Sequence, residues 1–273
     1  MKKLFVCLML LCSFMLVACS GDVETTPAKE EDQFVVGMEC AYAPFNWTES
    51  TPTAYNYPID GTDLYADGYD VQMAKAIAAS LGKVLVIKAI EWDGLISALE
   101  AGQIDAIIAG MSPTADRKVS VDFTGAYYTS THVLVMDKNS SYVNGKTLAD
   151  FAGANVVGQK ETLYDSLIDQ LTGATHMTPL DDVPTIITAI TSGRADITIL
   201  EEPVALGVVA INPNLTYVKL TSGFNVSEED VCVSIALKKG QDDLVNQING
   251  ILSAITPSVR EKLMVGAISR AEA

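Results

Sequence analysis

The residues best suited to chemistry form one run, Ala109-Gly110-Met111-Ser112-Pro113-Thr114-Ala115-Asp116-Arg117-Lys118. Small and hydroxylic residues leave what reads as a strand end, and Arg117 arrives five residues after Ser112. A guanidinium fork can hold a carboxylate with two parallel hydrogen bonds, while hydroxyls and backbone N–H groups take the remaining lone pairs. On its own the run also fits a solvated helix start. Covalent and metal chemistry has little material. The two histidines, His132 and His176, lie in no HExxH, HxH or HxxxH pattern, and no Gly-x-Ser-x-Gly elbow, Walker loop or GxGxxG occurs. No metal and no cofactor is implied. Glu201 and Glu202 are neighbours, and on an extended chain neighbours point to opposite sides, so only one can face a given cleft.

The elements that must position this run alternate between short apolar strands and amphipathic helices. Phe34–Met38 reads as a strand, followed by a polar insert from Thr48 to Gly68, with Pro52, Pro58 and Gly61, that reads as loop or short irregular structure. Asp70 then looks like an N-cap, with Val71, Ala74, Ile77, Ala78 and Leu81 on one helical face and Gly82 as the stop. Val84–Ile87 is a strand, Gly94–Ala101 a helix and Ile104–Ala109 a strand again. Continuous apolar strands alternating with helices predict an α/β fold with a parallel sheet covered on both faces. There is also an internal echo. Ile96, Ala98, Gly102, Asp105 and Ile108 recur 91 residues later as Ile187, Ala189, Gly193, Asp196 and Ile199. Each copy is a helix ended by Gly, a turn, and an Asp opening a buried strand, which predicts two similar α/β lobes in tandem. The strands run into Gly110-Met111-Ser112 and Glu201-Glu202 respectively. Ligands of open sheets sit at the carboxyl ends of the strands, so a site is expected between the lobes.

Composition narrows the class further. Of 273 residues 49% are hydrophobic and 19% charged, which excludes a disordered chain. Eighteen Lys and Arg against 34 Asp and Glu give a net charge of −16, without any Lys/Arg-rich run, and this argues against a nucleic-acid partner. Lys2 and Lys3 precede an apolar run from Leu4 to Ala18, shorter than the ~20 residues of a membrane span and typical of an export signal. Its end, Leu16-Val17-Ala18-Cys19, resembles the lipobox of bacterial lipoproteins. That resemblance implies cleavage of residues 1–18 and lipidation of Cys19, hence a membrane anchor on an extracytoplasmic chain of net charge −18. Residues 19–33 read as a flexible tether. Cys40 and Cys232 are the thiols left to the folded part, too few for a disulfide framework. They read as free thiols, with a pairing between them left open.

Several motifs then occur together. Gly37-Met38-Glu39-Cys40-Ala41-Tyr42-Ala43-Pro44-Phe45 resembles a Gly-x-Asp-x-x-Tyr-x-Pro-Phe opening strand and turn, and Gly68-Tyr69-Asp70-Val71 a Gly-Phe/Tyr-Asp-Val helix start. Trp92-Asp93-Gly94-Leu95-Ile96, Asp105–Met111, the Arg117 loop and Val121-Asp122-Phe123-Thr124 follow in the same order. Over residues 34 to about 268 the chain resembles the polar amino-acid receptors of bacterial ABC importers, periplasmic-binding-protein family 3, with the type II periplasmic-binding fold. The resemblance implies two Rossmann-like lobes joined by a two-strand hinge: residues 34–127 plus 231–268, and residues 128–230. It implies a free amino acid as ligand and ABC permease subunits as partners. Tyr42 would lie on the ligand side chain with Trp92 opposite. Gly110 and Thr114 would offer backbone groups, Ser112 a hydroxyl and Arg117 the bidentate contact to the α-carboxylate. Gln159 and Thr162 belong to the second lobe's loop and helix start, which receive the same carboxylate, and Glu201 falls where the family has the Asp that binds the α-ammonium. The chain departs from the pattern at three places: Glu201 is one methylene longer than Asp, Glu161-Thr162-Leu163 replaces Gly-Thr-Thr, and Glu39 replaces an Asp. With one carboxylate and Arg117 neutralising the α-groups, Glu39 is left beside the ligand side chain, which predicts a cationic side chain before a neutral polar one and an acidic one last. The alternative is a dehydratase-type enzyme on the same fold acting on a prephenate-like acid, with Glu201 as its only evident general acid.

Overall fold

The computed structural model describes residues 32–271. The signal segment, Cys19 and the tether up to residue 31 lie outside the described residues. The chain starts with strand β1 (Gln33–Met38), then β2 (Ala41–Tyr42), β3 (Asn46–Glu49), β4 (Tyr57–Pro58) and β5 (Tyr65–Asp67). Helix α1 (Tyr69–Leu81), β6 (Val84–Ala89), a 3-10 turn at Trp92–Gly94, α2 (Leu95–Glu100), β7 (Ala106–Ile107), the single turn α3 (Arg117–Ser120) and β8 (Val121–Phe123) follow. The chain then crosses on β9 (Tyr128–Thr129) into β10 (His132–Asp137), β11 (Asn155–Val156), α4 (Leu163–Leu167), β12 (Thr175–His176), α5 (Val183–Thr191), β13 (Ile197–Glu201), α6 (Glu202–Ile211) and β14 (Leu215–Val218). It returns on β15 (Cys232–Val233) to β16 (Ala236–Lys238) and ends in α7 (Asp242–Ala254) and α8 (Pro257–Ala271). No helix among the described residues is long and apolar enough to cross a membrane.

Two five-stranded sheets organise the two lobes, in the orders β6-β1-β7-β16-β8 and β12-β11-β13-β10-β14. The expectation of a parallel sheet is corrected here, because each sheet is mixed. In the first, β6, β1 and β7 are parallel while β16 runs antiparallel to both β7 and β8. In the second, β12, β11 and β13 are parallel while β10 runs antiparallel to β13 and β14. The reason is the connectivity. Strands β10 and β16 enter their sheets from the crossing strands β9 and β15 rather than over a covering helix, and only the helical crossover enforces parallel pairing. The crossing strands pair antiparallel with each other, Val233 opposite Tyr128 and Cys232 opposite Thr129.

The internal echo has the same hydrogen bonds in both copies. The Asp105 carboxylate accepts from the Val35 N–H at 2.8 Å and its own N–H donates to the Val35 carbonyl at 2.7 Å. Asp196 does the same to Asn155, at 2.7 and 2.8 Å. In each lobe one aspartate pins the strand that follows the helix onto the neighbouring parallel strand.

Three local expectations are corrected. The 48–68 insert is not merely loop, since β3, β4 and β5 build a small antiparallel sheet with β2. Its anchors come from two helices, one adjoining and one distant: Gln72 Nε2 of α1 donates to the Tyr55 carbonyl at 2.7 Å, and Arg270 of α8 grips the buried Asp67 at 2.8 Å while its guanidinium lies 4.4 Å from the Tyr55 ring centre. Asp70 is not the N-cap. Gly68 holds that position, and Asp70 is fully buried in the first turn of α1. The expected strand Ile104–Ala109 pairs only over Ala106–Ile107. The predicted apolar face and the stop are as read, with Val71, Ala74, Ile77 and Ala78 buried and Gly82 left-handed at φ 68°.

Gly68 carries a strict requirement. Its φ is 135°, and a Cβ there would stand 2.1 Å from the Phe45 carbonyl oxygen. At Gly82 a Cβ would meet nothing within 4 Å. Gly68→Ala is therefore expected to destabilise the protein by about 3 kcal/mol or more, against about 1–2 kcal/mol for Gly82→Ala. Chemical denaturation of both variants checks this, and equal losses would show that the backbone at 68 relaxes freely.

Candidate functional site

A small cavity lies between the lobes at the carboxyl ends of β1, β7 and β11. Glu39, Tyr42, Trp92, Gly110, Ser112 and Arg117 form its wall on the first lobe, and Gln159, Thr162, Leu163 and Tyr164 its wall on the second. The structure thus brings together eight of the ten residues that the sequence singled out. Tyr42 is buried, its ring stacked on Phe45 at 5.6 Å, and its hydroxyl has no hydrogen-bond partner among the described residues. Gly110 sits flat against that ring: its φ is 63°, and a Cβ would come within 3.0 Å of Tyr42 Cε1. Only glycine lets the backbone approach the aromatic so closely.

Arg117 opens α3 and its side chain reaches across the cleft. One guanidinium nitrogen donates to the Ser112 carbonyl at 3.0 Å and the other to the Glu161 carbonyl of the opposite lobe at 3.2 Å. Its Cζ lies 5.0 Å from the centre of the Trp92 ring, a cation–π distance. Among the described residues it forms no ion pair, and burial lowers its pKa, with Tyr164 and Asp230 acting in the other direction. A guanidinium satisfied only by neutral carbonyls, in a cleft, is set up to receive an anion. Trp92 itself donates from Nε1 to the same Glu161 carbonyl at 3.2 Å. Glu161 holds φ 58°, the left-handed region that glycine prefers. The resemblance placed a glycine there, and this backbone is what that glycine would serve.

On the other side of the cavity Glu39 accepts from Gln159 Nε2 at 2.7 Å, a hydrogen bond between the lobes, and Gln159 also donates to the Asp181 carbonyl at 2.9 Å. Glu39 has no ion-pair partner among the described residues. Burial pushes its carboxyl up from 4.5 to about 7, opposed by the Gln159 bond and reinforced by Asp182 and Glu91. Thr162 caps α4, accepting from the Asp165 N–H at 3.3 Å and donating to the Gln159 carbonyl at 2.7 Å. Lys160 and Asp93 close the rim with a 2.6 Å ion pair across the cleft.

Two of the ten residues fall elsewhere. Thr114 lines a neighbouring groove with Asp116 and Glu161, and its hydroxyl accepts from the Arg117 N–H at 3.4 Å, so it shapes the Arg117 turn instead of facing the cavity. Glu201 does not line the cavity either. It ends β13, is 2% exposed, and neither carboxylate oxygen has a hydrogen-bond partner among the described residues. Burial pushes its pKa well above the ordinary value. Glu202, the first residue of α6, bonds to Thr131 and Lys219 instead.

Sequence reasoning missed Leu163 and Tyr164, which follow the Thr162 cap, and the network beneath the cavity. Asp70 accepts from Asn46 Nδ2 at 2.8 Å and from the Tyr127 hydroxyl. Asn46 in turn accepts from the Cys40 N–H at 2.7 Å, where φ is 60°, and Tyr127 accepts from the Gly110 N–H at 3.4 Å. One buried aspartate thereby fixes both the Glu39–Tyr42 turn and the Gly110 turn. Its pKa rises to about 6 through burial, against the hydrogen bonds. The Asp in Gly68-Tyr69-Asp70-Val71 was the available signal, read as a cap because that is its commonest service at a helix start.

The histidines stand apart from the cavity. His176 bridges Asp165 and Asp169 at 2.9 Å each, and His132 packs against Tyr164 and Phe224. Among the described residues no group of three or more His, Cys, Asp or Glu can hold a metal ion. Cys40 and Cys232 are both free.

Comparison with known proteins places this geometry. The family model described as "Bacterial extracellular solute-binding proteins, family 3" matches residues 34–263. The arginine-binding extracellular protein ArtP of Bacillus subtilis (strain 168) is 28% identical over 258 residues, covering 92% of each chain. The L-cystine-binding protein TcyJ of Escherichia coli (strain K12) is 27% identical over 225 residues, covering 82% of this chain and 78% of TcyJ. Among solved structures, the amino-acid ABC transporter substrate-binding protein AbpA of Streptococcus pneumoniae Canada MDR_19A, bound to L-arginine, superposes with a TM-score of 0.77 at 27% identity, covering 89% of this chain and 97% of that one. With the model matched over most of its length and the same fold at its back, the chain belongs to the bacterial extracellular solute-binding proteins of family 3.

Proposed function

We propose that this protein captures a free amino acid between its lobes, outside the cytoplasm, and delivers it to the permease subunits of an ABC importer. One observation carries the reading: the guanidinium of Arg117 and the buried carboxyl of Glu201 both lack an ion-pair partner among the described residues. An amino acid brings an α-carboxylate and an α-ammonium, the two charges that would complete them. Glu201 ends β13, which runs parallel to β11, so it lies at the same edge of the second sheet as the Gln159–Thr162 loop. Tyr42, Trp92, Gly110, Ser112, Gln159 and Thr162 would surround the ligand. Thr114 would act only by shaping the Arg117 turn. Contacts to both lobes favour the form in which the lobes touch, and that form would dock on the permease.

The lobe boundaries, 34–127 with 231–268 and 128–230, are supported by sheet membership: β1 to β8 and β16 lie on one side of the β9–β15 crossing and β10 to β14 on the other. Glu39 supports a cationic ligand side chain, because it faces the cavity with Gln159 as its donor and no ion-pair partner among the described residues. The arginine-binding names of relatives point the same way, and the cystine-binding one keeps a neutral polar ligand as the second reading. A dehydratase has less support, because the family is one of solute-binding proteins. The Leu16–Cys19 sequence supports a lipid on Cys19 that holds the chain at the membrane.

Arg117→Ala is expected to weaken binding of the cognate amino acid more than about a hundredfold, the equivalent of ~3–5 kcal/mol for an uncompensated charge, with an unchanged fold. Titration calorimetry and circular dichroism check both halves. In competition binding, arginine, lysine or histidine should outcompete glutamate and aspartate; the reverse order would refute the charge argument at Glu39. Mass spectrometry of the native protein should find residue 19 as a lipid-modified N-terminus, and an unmodified Cys19 would remove the anchor.

A further inference from the structure

Arg117 meets the second lobe at the Glu161 carbonyl, 3.2 Å from its guanidinium, and the three residues that follow, Thr162, Leu163 and Tyr164, line the same cavity as Arg117 and Ser112. An anion held on Arg117 therefore lies against this segment. A carboxylate has more lone pairs than one guanidinium fork fills, so its capture calls for further donors. Two hydroxyls nearby give their single proton to the protein. Thr162 Oγ1 donates to the Gln159 carbonyl at 2.7 Å, and Ser112 Oγ to the Asp230 carbonyl at 3.3 Å. Leu163 has no polar side-chain atom. Tyr164 carries the remaining side-chain hydroxyl on the second-lobe wall. We infer that Tyr164 is a ligand-binding residue whose phenol donates to the α-carboxylate from the second lobe while Arg117 holds that carboxylate from the first.

The phenol is held in place before any ligand arrives. Tyr164 is buried, and its ring meets the His132 ring edge to face, with centres 5.5 Å apart. Its backbone belongs to α4, which Thr162 caps and which His176 clips from β12 by bridging Asp165 and Asp169 at 2.9 Å each. The helix also packs tightly on the loop after β11, where a Cβ on Gly158 would stand 2.6 Å from the Asp165 Cα. A donor fixed in this way binds without an ordering cost. Burial raises the Tyr164 pKa well above the ordinary 10, against the Arg117 charge and the Ser112 side chain. The hydroxyl thus keeps its proton and adds a donor without adding a charge. One guanidinium already balances one carboxylate, and a second cation here would leave a buried excess. Bound from both lobes, the carboxylate becomes the group that the closed cavity selects for. The inference rests on the proposed reading that an amino acid places its α-carboxylate on Arg117.

Tyr164→Phe removes the hydroxyl and keeps the ring against His132, and circular dichroism checks that the fold is unchanged. The probes are L-arginine and agmatine, which is arginine without its carboxyl group, measured by direct and competition calorimetry. The variant is expected to bind arginine about ten- to a hundredfold more weakly, as for a lost hydrogen bond to a charged group, and agmatine less than about threefold more weakly. Equal losses for the two, the mark of a phenol that only bridges the lobes, would overturn the inference, and so would an unchanged arginine affinity. Histidine with histamine and lysine with cadaverine are the same comparison where arginine does not bind. A crystal structure of the wild-type complex reads the contact directly. Tyr164 Oη within hydrogen-bond distance of a carboxylate oxygen supports the inference; Oη bonded only to protein, with the carboxylate still on Arg117, overturns it and leaves the proposed function standing. Failure of every free amino acid to bind would overturn the proposed function and the inference with it.

Discussion

The guanidinium of Arg117 rests on carbonyl oxygens from both lobes and on the face of Trp92, without an ion-paired carboxylate among the described residues. A charge withdrawn from water and left uncompensated costs several kcal/mol, so a protein that keeps one in a cleft keeps it for something that arrives. The rest of the molecule can be understood as the apparatus that holds this group in place. Ser112 and Thr114 shape the turn, the Glu161 backbone takes a left-handed conformation to turn its carbonyl across the cleft, and the Lys160–Asp93 pair closes the rim. Because the guanidinium bonds to both lobes, whatever anion binds it also joins them, and capture and closure become one event.

That apparatus depends on a less visible hub. Asp70 is buried without a cation, stabilised by Asn46 and Tyr127, and through them it reaches the amide of Cys40 and the turn at Gly110. The two turns carry Glu39, Tyr42 and Gly110, all on the cavity wall. A fully satisfied buried polar network fixes one arrangement of its members. Here it fixes a loop after β1 against a loop after β7, the geometry on which the aromatic and acidic faces of the cavity rely.

Much of this was legible in the sequence, and the limits follow from the range of the forces involved. The echo of Gly102–Asp105 in Gly193–Asp196 announced two similar lobes, because the aspartate clamp is local to one strand pair and leaves the same residues in the same order. Arg117, Tyr42, Trp92 and Gly110 were readable through motifs that the chain keeps contiguous. What failed was long-range. The 48–68 insert looked like loop because its strands are two to four residues long and are held by Gln72 of the following helix and by Arg270, 203 residues from Asp67 in sequence. Mixed sheets were missed because the direction of β10 and β16 is set by the crossing strands, not by the apolar pattern within either element. Asp70 was misread because a helix-start aspartate has the same signature whether it caps the helix or turns inward. Glu201 is buried at the end of β13 with neither carboxylate oxygen hydrogen-bonded among the described residues, and its service to the ligand ammonium, implied by the resemblance, is part of the proposal.

The central claim is that the α-carboxylate of an amino acid supplies the missing counter-charge of Arg117. A crystal structure of the protein with L-arginine tests it most directly. The account predicts the ligand between the lobes, its α-carboxylate within hydrogen-bond distance of both terminal guanidinium nitrogens of Arg117, its ammonium on Glu201 and its side chain between Tyr42 and Trp92 beside Glu39. A ligand bound elsewhere, or one in the cleft whose carboxylate leaves Arg117 bonded only to the Ser112 and Glu161 carbonyls, would contradict it.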